Sequence, residues 1–143
     1  MALTVNRNVP HKEDAKQQLL PVATTAVIFK GSICILDANG FVNVAAGATA
    51  GTAFAGIAVG DIDNTAGANG DVDVLLFQSG RHKLPGTGAA AADVQDVVFA
   101  VDDEDVTNVS ATNLQKVGIV SEVDGTDYWV DIEAGILVPA LGA

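Results

Sequence analysis

Ala26-Val27-Ile28-Phe29, Ile33-Cys34-Ile35-Leu36 and Phe41-Val42-Asn43-Val44 follow one another between residues 26 and 44, separated by Lys30-Gly31 and by Asp37-Ala38-Asn39-Gly40. Short runs rich in Val, Ile and Phe, bounded by turn-forming residues, are the pattern of strands. The same pattern continues outward through Phe54-Ala55-Gly56-Ile57-Ala58-Val59, Val72-Asp73-Val74-Leu75-Leu76-Phe77 and Val97-Val98-Phe99-Ala100-Val101. It ends with Val117-Gly118-Ile119-Val120 and Tyr128-Trp129-Val130-Asp131-Ile132. Only residues 88–95, Gly-Ala-Ala-Ala-Ala-Asp-Val-Gln, invite a helix, and a brief one. Strands at this spacing without long intervening helices predict an all-β fold, a compact β-sandwich or small β-barrel with at most one short helix. The predicted core is Val27, Ile28, Ile33, Ile35, Val42, Val44, Ile57, Val74, Leu76, Val98, Val117, Ile119, Val130 and Ile132.

The chain has 143 residues, enough for one domain that buries roughly 70% of the surface its unfolded chain exposes. Its apolar share is 49%, carried by Ala, Val and Ile with few aromatics, and its 15 glycines imply many turns. The single cysteine, Cys34, has no partner for an internal disulfide and reads as a small buried hydrophobe. No apolar stretch follows a basic start, and no run approaches the 18 or so apolar residues of a membrane helix, which predicts a chain made in the cytosol without an anchor.

Residues 1–22 differ from the rest. They carry Pro10 and Pro21, lack Gly-punctuated hydrophobic runs, and read as an N-terminal arm preceding a single β-rich domain at 23–143. Within the arm, residues 13–20 have room for about two helical turns, a length that is marginal in water. Leu3, Val5, Val9, Leu19 and Leu20 beside Arg7, Lys12 and Lys16 form a candidate protein-binding set, expected to be loosely attached until it lies across a neighbouring subunit. Charge divides the same way: residues 1–30 sum to +2 and residues 31–143 to −13. An acidic body is repelled by nucleic acid and by anionic membrane, so neither is an expected partner.

The two halves echo each other. Phe41-Val42-Asn43-Val44-Ala45 resembles Val106-Thr107-Asn108-Val109-Ser110, Ala55-Gly56-Ile57-Ala58 resembles Val117-Gly118-Ile119-Val120, and Asp71-Val72-Asp73-Val74 resembles Trp129-Val130-Asp131-Ile132. Chance, shared hairpin grammar and duplication each account for matches of this size.

Catalytic motifs are thin. Gly86-Thr87-Gly88-Ala89-Ala90-Ala91 formally satisfies a dinucleotide-binding pattern, but it follows Leu84-Pro85 and no βαβ unit surrounds it. No phosphate loop of the ATPase kind exists. Acids cluster at Asp61-Ile62-Asp63-Asn64-Thr65 and at Asp102-Asp103-Glu104-Asp105. Counted from Asp61, the EF-hand positions that need Gly and Glu hold Ala66 and Val72, so solvated turns are expected, with an irregular cation site as the alternative. His11 and His82 lack ligands at metal spacing and read as solvated. With two His, one Cys and one Tyr, no enzymatic activity, cofactor or metal is expected.

Residues 54–62, Phe-Ala-Gly-Ile-Ala-Val-Gly-Asp-Ile, leading through Ala66-Gly67-Ala68-Asn69-Gly70 into Asp71-Val72-Asp73-Val74, resemble the pattern of tailed-phage head-decoration (capsid cement, capsid-stabilising) proteins. Leu84-Pro85, the Ala-rich residues 89–92, Gln95-Asp96-Val97-Val98-Phe99, Lys116-Val117-Gly118-Ile119-Val120 and Trp129-Val130-Asp131-Ile132 extend the resemblance over about residues 22–133. Gln95 stands where the pattern has Gly, Phe99 replaces its Tyr, and the arm lies outside it. The resemblance implies a structural virion protein on the outer surface of a phage capsid, bound to the major capsid protein and to itself as a homotrimer. A free-standing carbohydrate- or ligand-binding β-module is the alternative; it needs exposed aromatics on a concave face.

Overall fold

The computed structural model describes residues 2–12, 16–46, 53–86, 88–109 and 114–133, excepting the side chains of His11, Lys12 and Glu133. Among these residues the chain forms β1 (His11–Lys12), β2 (Gln17–Pro21), β3 (Val27–Ile28), β4 (Ile33–Leu36), β5 (Val42–Val44), β6 (Ala53–Ala58) and β7 (Ile62–Asp63). The second half adds β8 (Asp73–Phe77), β9 (Ser79–Pro85), β10 (Val97–Ala100), β11 (Val106–Thr107), β12 (Lys116–Asp124) and β13 (Asp127–Glu133). The fold is all-β. The expected short helix is a single 3-10 turn, Ala91–Asp93, and the segment is pinned beyond it by the Gln95 amide donating to the Val120 carbonyl.

Two antiparallel sheets stack, one ordered β2-β8-β6-β4-β5 and the other β1-β9-β13-β12-β10-β11, with β3 and β7 paired apart. Without β1, both sheets have the same topology: the first strand in the chain pairs with the last, and the second lies beside the third. Registers agree residue by residue. Ile33↔Ile57, Cys34↔Gly56 and Ile35↔Phe54 match Val97↔Ile119, Val98↔Gly118 and Phe99↔Lys116, with a bulge at the same place in both. Gln17↔Phe77 through Pro21↔Asp73 match Arg81↔Asp131 through Pro85↔Asp127. After the first strand, Val22 bridges Val42 and Gly86 bridges Val106, both parallel. The Asp37 amide donates to the Phe41 carbonyl and the Val101 amide to the Asp105 carbonyl, so equivalent turns follow β4 and β10, each held by a nearby carboxylate: Asp37 accepts from the amides of Asn39 and Phe41, Asp102 from those of Glu104 and Asp105.

The halves are therefore two copies of one five-stranded unit, each running from an opening strand (β2, β9) to a closing strand (β8, β13). Of the three sequence echoes, only Ala55-Gly56-Ile57-Ala58 with Val117-Gly118-Ile119-Val120 falls in the structural register. Both glycines are required by close approach: a Cβ at Gly56 would collide with the Phe77 carbonyl oxygen and one at Gly118 with that of Asp131. The register instead places Val42 with Val106 and Val74 with Tyr128, one and four residues from the apparent matches. Ser110 of the first echo lies outside the described residues.

The units stack in the same sense. Ile33, Ile35, Phe54 and Ile57 on the outer face of the first sheet pack with Val98, Val117, Val120, Tyr128, Val130 and Ile132 of the second. Cys34, Ala55, Ala58, Val74 and Leu76, on the other face of the first sheet, are covered by Val22, Ala23, Ala26 and Ile28. Eleven of the fourteen predicted core residues are buried. Val44 and Ile119 are half-buried, and Val27 is exposed because β3 pairs only with β7 at the periphery.

The N-terminal segment departs from expectation. Gln17–Pro21 is strand rather than helix and pairs with all of β8, while residues 13–15 lie outside the described residues. His11 and Lys12 pair with His82 and Arg81 of β9. The partner of Gln17 is Phe77, at the end of β8, and the partner of Lys12 is Arg81, four positions later in β9, so the segment pairs with two strands that follow each other in the chain. Its irregular polarity hid this. An edge strand is held by backbone hydrogen bonds that any side chain permits, and it needs little apolar alternation.

Candidate interaction surface

The candidate arm residues divide by the face they present. Leu3, Arg7, Val9 and Leu20 are half-buried; Val9 packs against the inter-sheet core and Leu20 against the second cluster. Val5 is 67% exposed and Leu19 60% exposed, two large apolar side chains turned to solvent, and Lys16 is exposed with them. The Lys12 side chain lies outside the described residues.

Arg7 fixes the start of the segment. Its amide donates to the Lys30 carbonyl (2.8 Å), its Nε to the Gly31 carbonyl (2.9 Å) and its Nη2 to the Glu104 carbonyl (3.0 Å). Asp103 accepts from the Leu3 amide at 2.9 Å. Burial pulls the guanidinium below its ordinary value, opposed by the nearby Glu104 and Asp103. Burial likewise raises the Asp103 carboxyl, with the Leu3 amide acting against it. The basic segment thus meets the acidic turn of its own body.

Two hollows border this side. One, about 490 Å³, lies between residues 7–10 and the ends of β6 and β8, with Val9, Ile57, Val59 and Phe77 as apolar walls and Arg7 and Lys30 at its rim. The other, about 280 Å³, lies beside Leu19 and is walled by Val59, Ile62 and Leu75 with Asp61 and Asp73. The first has the size of a ligand pocket, but Phe77 is its one aromatic wall.

Motifs suspected of chemistry have structural work here. Gly86 of the dinucleotide-like stretch lies under Tyr128, whose ring stands 2.5 Å from where a Cβ would be; Thr87 lies outside the described residues. Asp93 accepts from the Tyr128 hydroxyl (2.5 Å), the Ala90 amide (2.8 Å) and Asn108 Nδ2 (3.2 Å), and Asn108 also donates to Asp96 (3.0 Å). Burial, then the Asp93 hydrogen bond, pushes the Tyr128 hydroxyl upward. Asp63 accepts from the Thr65 amide and hydroxyl, closing its own turn. Among the described residues no three His, Cys, Asp or Glu side chains converge as metal ligands. His82 is buried rather than solvated, because β9 turns it inward with Leu84; its Nε2 is 2.9 Å from the Ser79 carbonyl and its ring contacts Phe77. Cys34 is buried, and burial raises its thiol far above the ordinary range.

The outward positions of Val5 and Leu19 were legible as apolar residues in a polar segment. Leu19's place on a sheet edge was not. No family model, curated protein or solved structure matches this chain.

Proposed function

We propose that this chain is a non-enzymatic decoration protein of a tailed-phage capsid, which binds the outside of the major capsid protein and stabilises the shell by bridging coat subunits. Copies join as homotrimers on the particle, where a three-fold ring multiplies weak contacts by avidity. The observation that carries this reading is the N-terminal segment, which forms an edge of both sheets and presents Val5 and Leu19 to solvent. Edge strands with exposed apolar side chains are surfaces on which other chains add. The resemblance of residues 22–133 to head-decoration proteins supplies the partner.

Removing the whole segment strips an edge strand, so charge introduced at its outward positions is the cleaner test. Val5→Asp with Leu19→Asp is expected to leave the circular dichroism spectrum intact while occupancy on assembled capsids, measured by co-sedimentation, falls sharply. Full occupancy by this variant, or none by the unaltered chain, removes the proposal.

A further inference from the structure

We propose that the outer edge of β2 docks an extended segment of a partner protein, added antiparallel, in which a Lys or Arg stands two positions before an apolar residue. The inference goes beyond the capsid reading: it names the chemistry of the added strand and holds or fails without a particle.

The second unit shows an opening strand with its outer edge taken. Lys12 pairs with Arg81, and the Lys83 amide donates to the Pro10 carbonyl at 2.7 Å. In the first unit Gln17 and Leu19 hold the equivalent positions, and there β2 is the outermost strand among the described residues. Gln17, Gln18 and Leu19 are all exposed. The Gln78 amide donates to the Lys16 carbonyl and the Val22 amide to the Val72 carbonyl, so the even-numbered residues of this strand bond to β8. Alternation turns the backbone groups of Gln17 and Leu19 to the outer edge. Pro21, which has no amide, falls in the same outward phase, where its ring breaks no bond to β8. An edge of this kind is completed by an added strand.

The surroundings specify that strand. Residues paired across strands share a face, so Leu19 lies with Leu75 and Pro21 with Asp73. The hollow of about 280 Å³ beside Leu19 is walled by Val59, Ile62 and Leu75, and Asp61 and Asp73 stand exposed at it. Neither carboxylate meets a cation among the described residues. An apolar side chain opposite Leu19 covers those apolar walls, and a basic one opposite Pro21 comes within reach of Asp73. In an antiparallel strand the basic residue then precedes the apolar one by two. Another protein supplies it. In this sequence a Lys or Arg precedes an apolar residue, Pro aside, by two positions only at Arg7-Asn8-Val9. There Arg7 is held by the Gly31 and Glu104 carbonyls and Val9 by the inter-sheet core.

The probe is a capped peptide, acetyl-Thr-Thr-Lys-Thr-Leu-Thr-Thr-amide, titrated into the full, isotope-labelled chain and followed by nuclear magnetic resonance. The amides of Gln17 and Leu19 are expected to shift, and to exchange with deuterium at least about tenfold more slowly once the peptide is bound. A peptide with its lysine and leucine interchanged, and one with glutamate for lysine, should each bind at least about threefold more weakly, the scale of an exposed ion pair. Asp61→Asn combined with Asp73→Asn should remove the preference for lysine over glutamate. Methylating the amide nitrogen of the peptide's leucine blocks the ladder and keeps every side chain, and it should abolish binding; Leu19→Pro should do the same from the protein side. The absence of any shift at Gln17 and Leu19 up to about 10 mM peptide overturns the proposal. So does equal binding of the interchanged or the methylated peptide. A chain that binds the probe yet leaves capsids bare keeps this inference and removes the capsid reading; one that occupies capsids and ignores the probe does the reverse.

Discussion

Phe54 and Lys116 occupy the same position in two copies of one unit, yet Phe54 is buried between the sheets while Lys116 is half-exposed, its ammonium over the Phe99 ring. Around them Phe77 answers to Asp131 and Leu19 to Lys83. The outer face of the first unit is apolar and is buried by the second; the same face of the second carries the charges of Lys83, Lys116 and Asp131 beside the buried Phe99. The inner faces vary less in kind: Leu76 and Val130, Val42 and Val106, Ala58 and Val120 are all buried. The unit is thus defined by its inner face and its turns, and its place in the stack by its outer face.

The sharpest way to break this comparison is to truncate one equivalent pair. Ile57→Ala removes a fully buried side chain between the sheets and should cost about 2–5 kcal/mol, whereas Ile119→Ala, half-buried on the outer face, should cost less than about 1.5 kcal/mol by urea unfolding. Equal losses would mean that the outer face of the second sheet is covered.

A smaller effect is expected where the second unit alone has a polar inner residue, Tyr128 in place of Val74. Tyr128→Phe takes a donor from Asp93 and should cost about 1–3 kcal/mol. Because the folded hydroxyl titrates above its unfolded value, its stabilisation is present below about pH 10 and is lost as pH rises through the higher folded value. The variant should therefore show a flatter alkaline limb in urea midpoints; an unchanged limb would exclude this hydroxyl.

Asp103 offers a gentler measurement at the other end of the scale. Its folded value is raised by burial, so its contribution is fully present in acid, below the usual carboxylate value of about 3.9, and fades as pH rises through the raised one. Asp103→Asn should gain stability relative to the parent as pH climbs from acid toward neutrality, and a constant difference across that range would contradict the assignment. The smallest effect on stability is expected from the outward pair: Leu19→Asp and Val5→Asp should each stay within about 0.5 kcal/mol of the parent, since both side chains already face solvent. A larger loss at Leu19 would show that the hollow beside it is already filled.

By itself the sequence determined the fold class, most of the core and the turns. Val and Ile alternate with the two-residue period of strands, and Asp37-Ala38-Asn39-Gly40 makes its bonds within a few residues of itself. Tertiary structure decided what depends on distant partners. The duplication became visible only through register, because bulges and unequal turns shift the offset between equivalent residues. The N-terminal segment became two edge strands because β8 and β9 offer it a backbone partner, which no local pattern announces. His82 became a core residue because its neighbours across the sheet turn it inward. Local chemistry fixes which segments are strands; only the packing of one sheet on another fixes which of their faces is left to meet a partner.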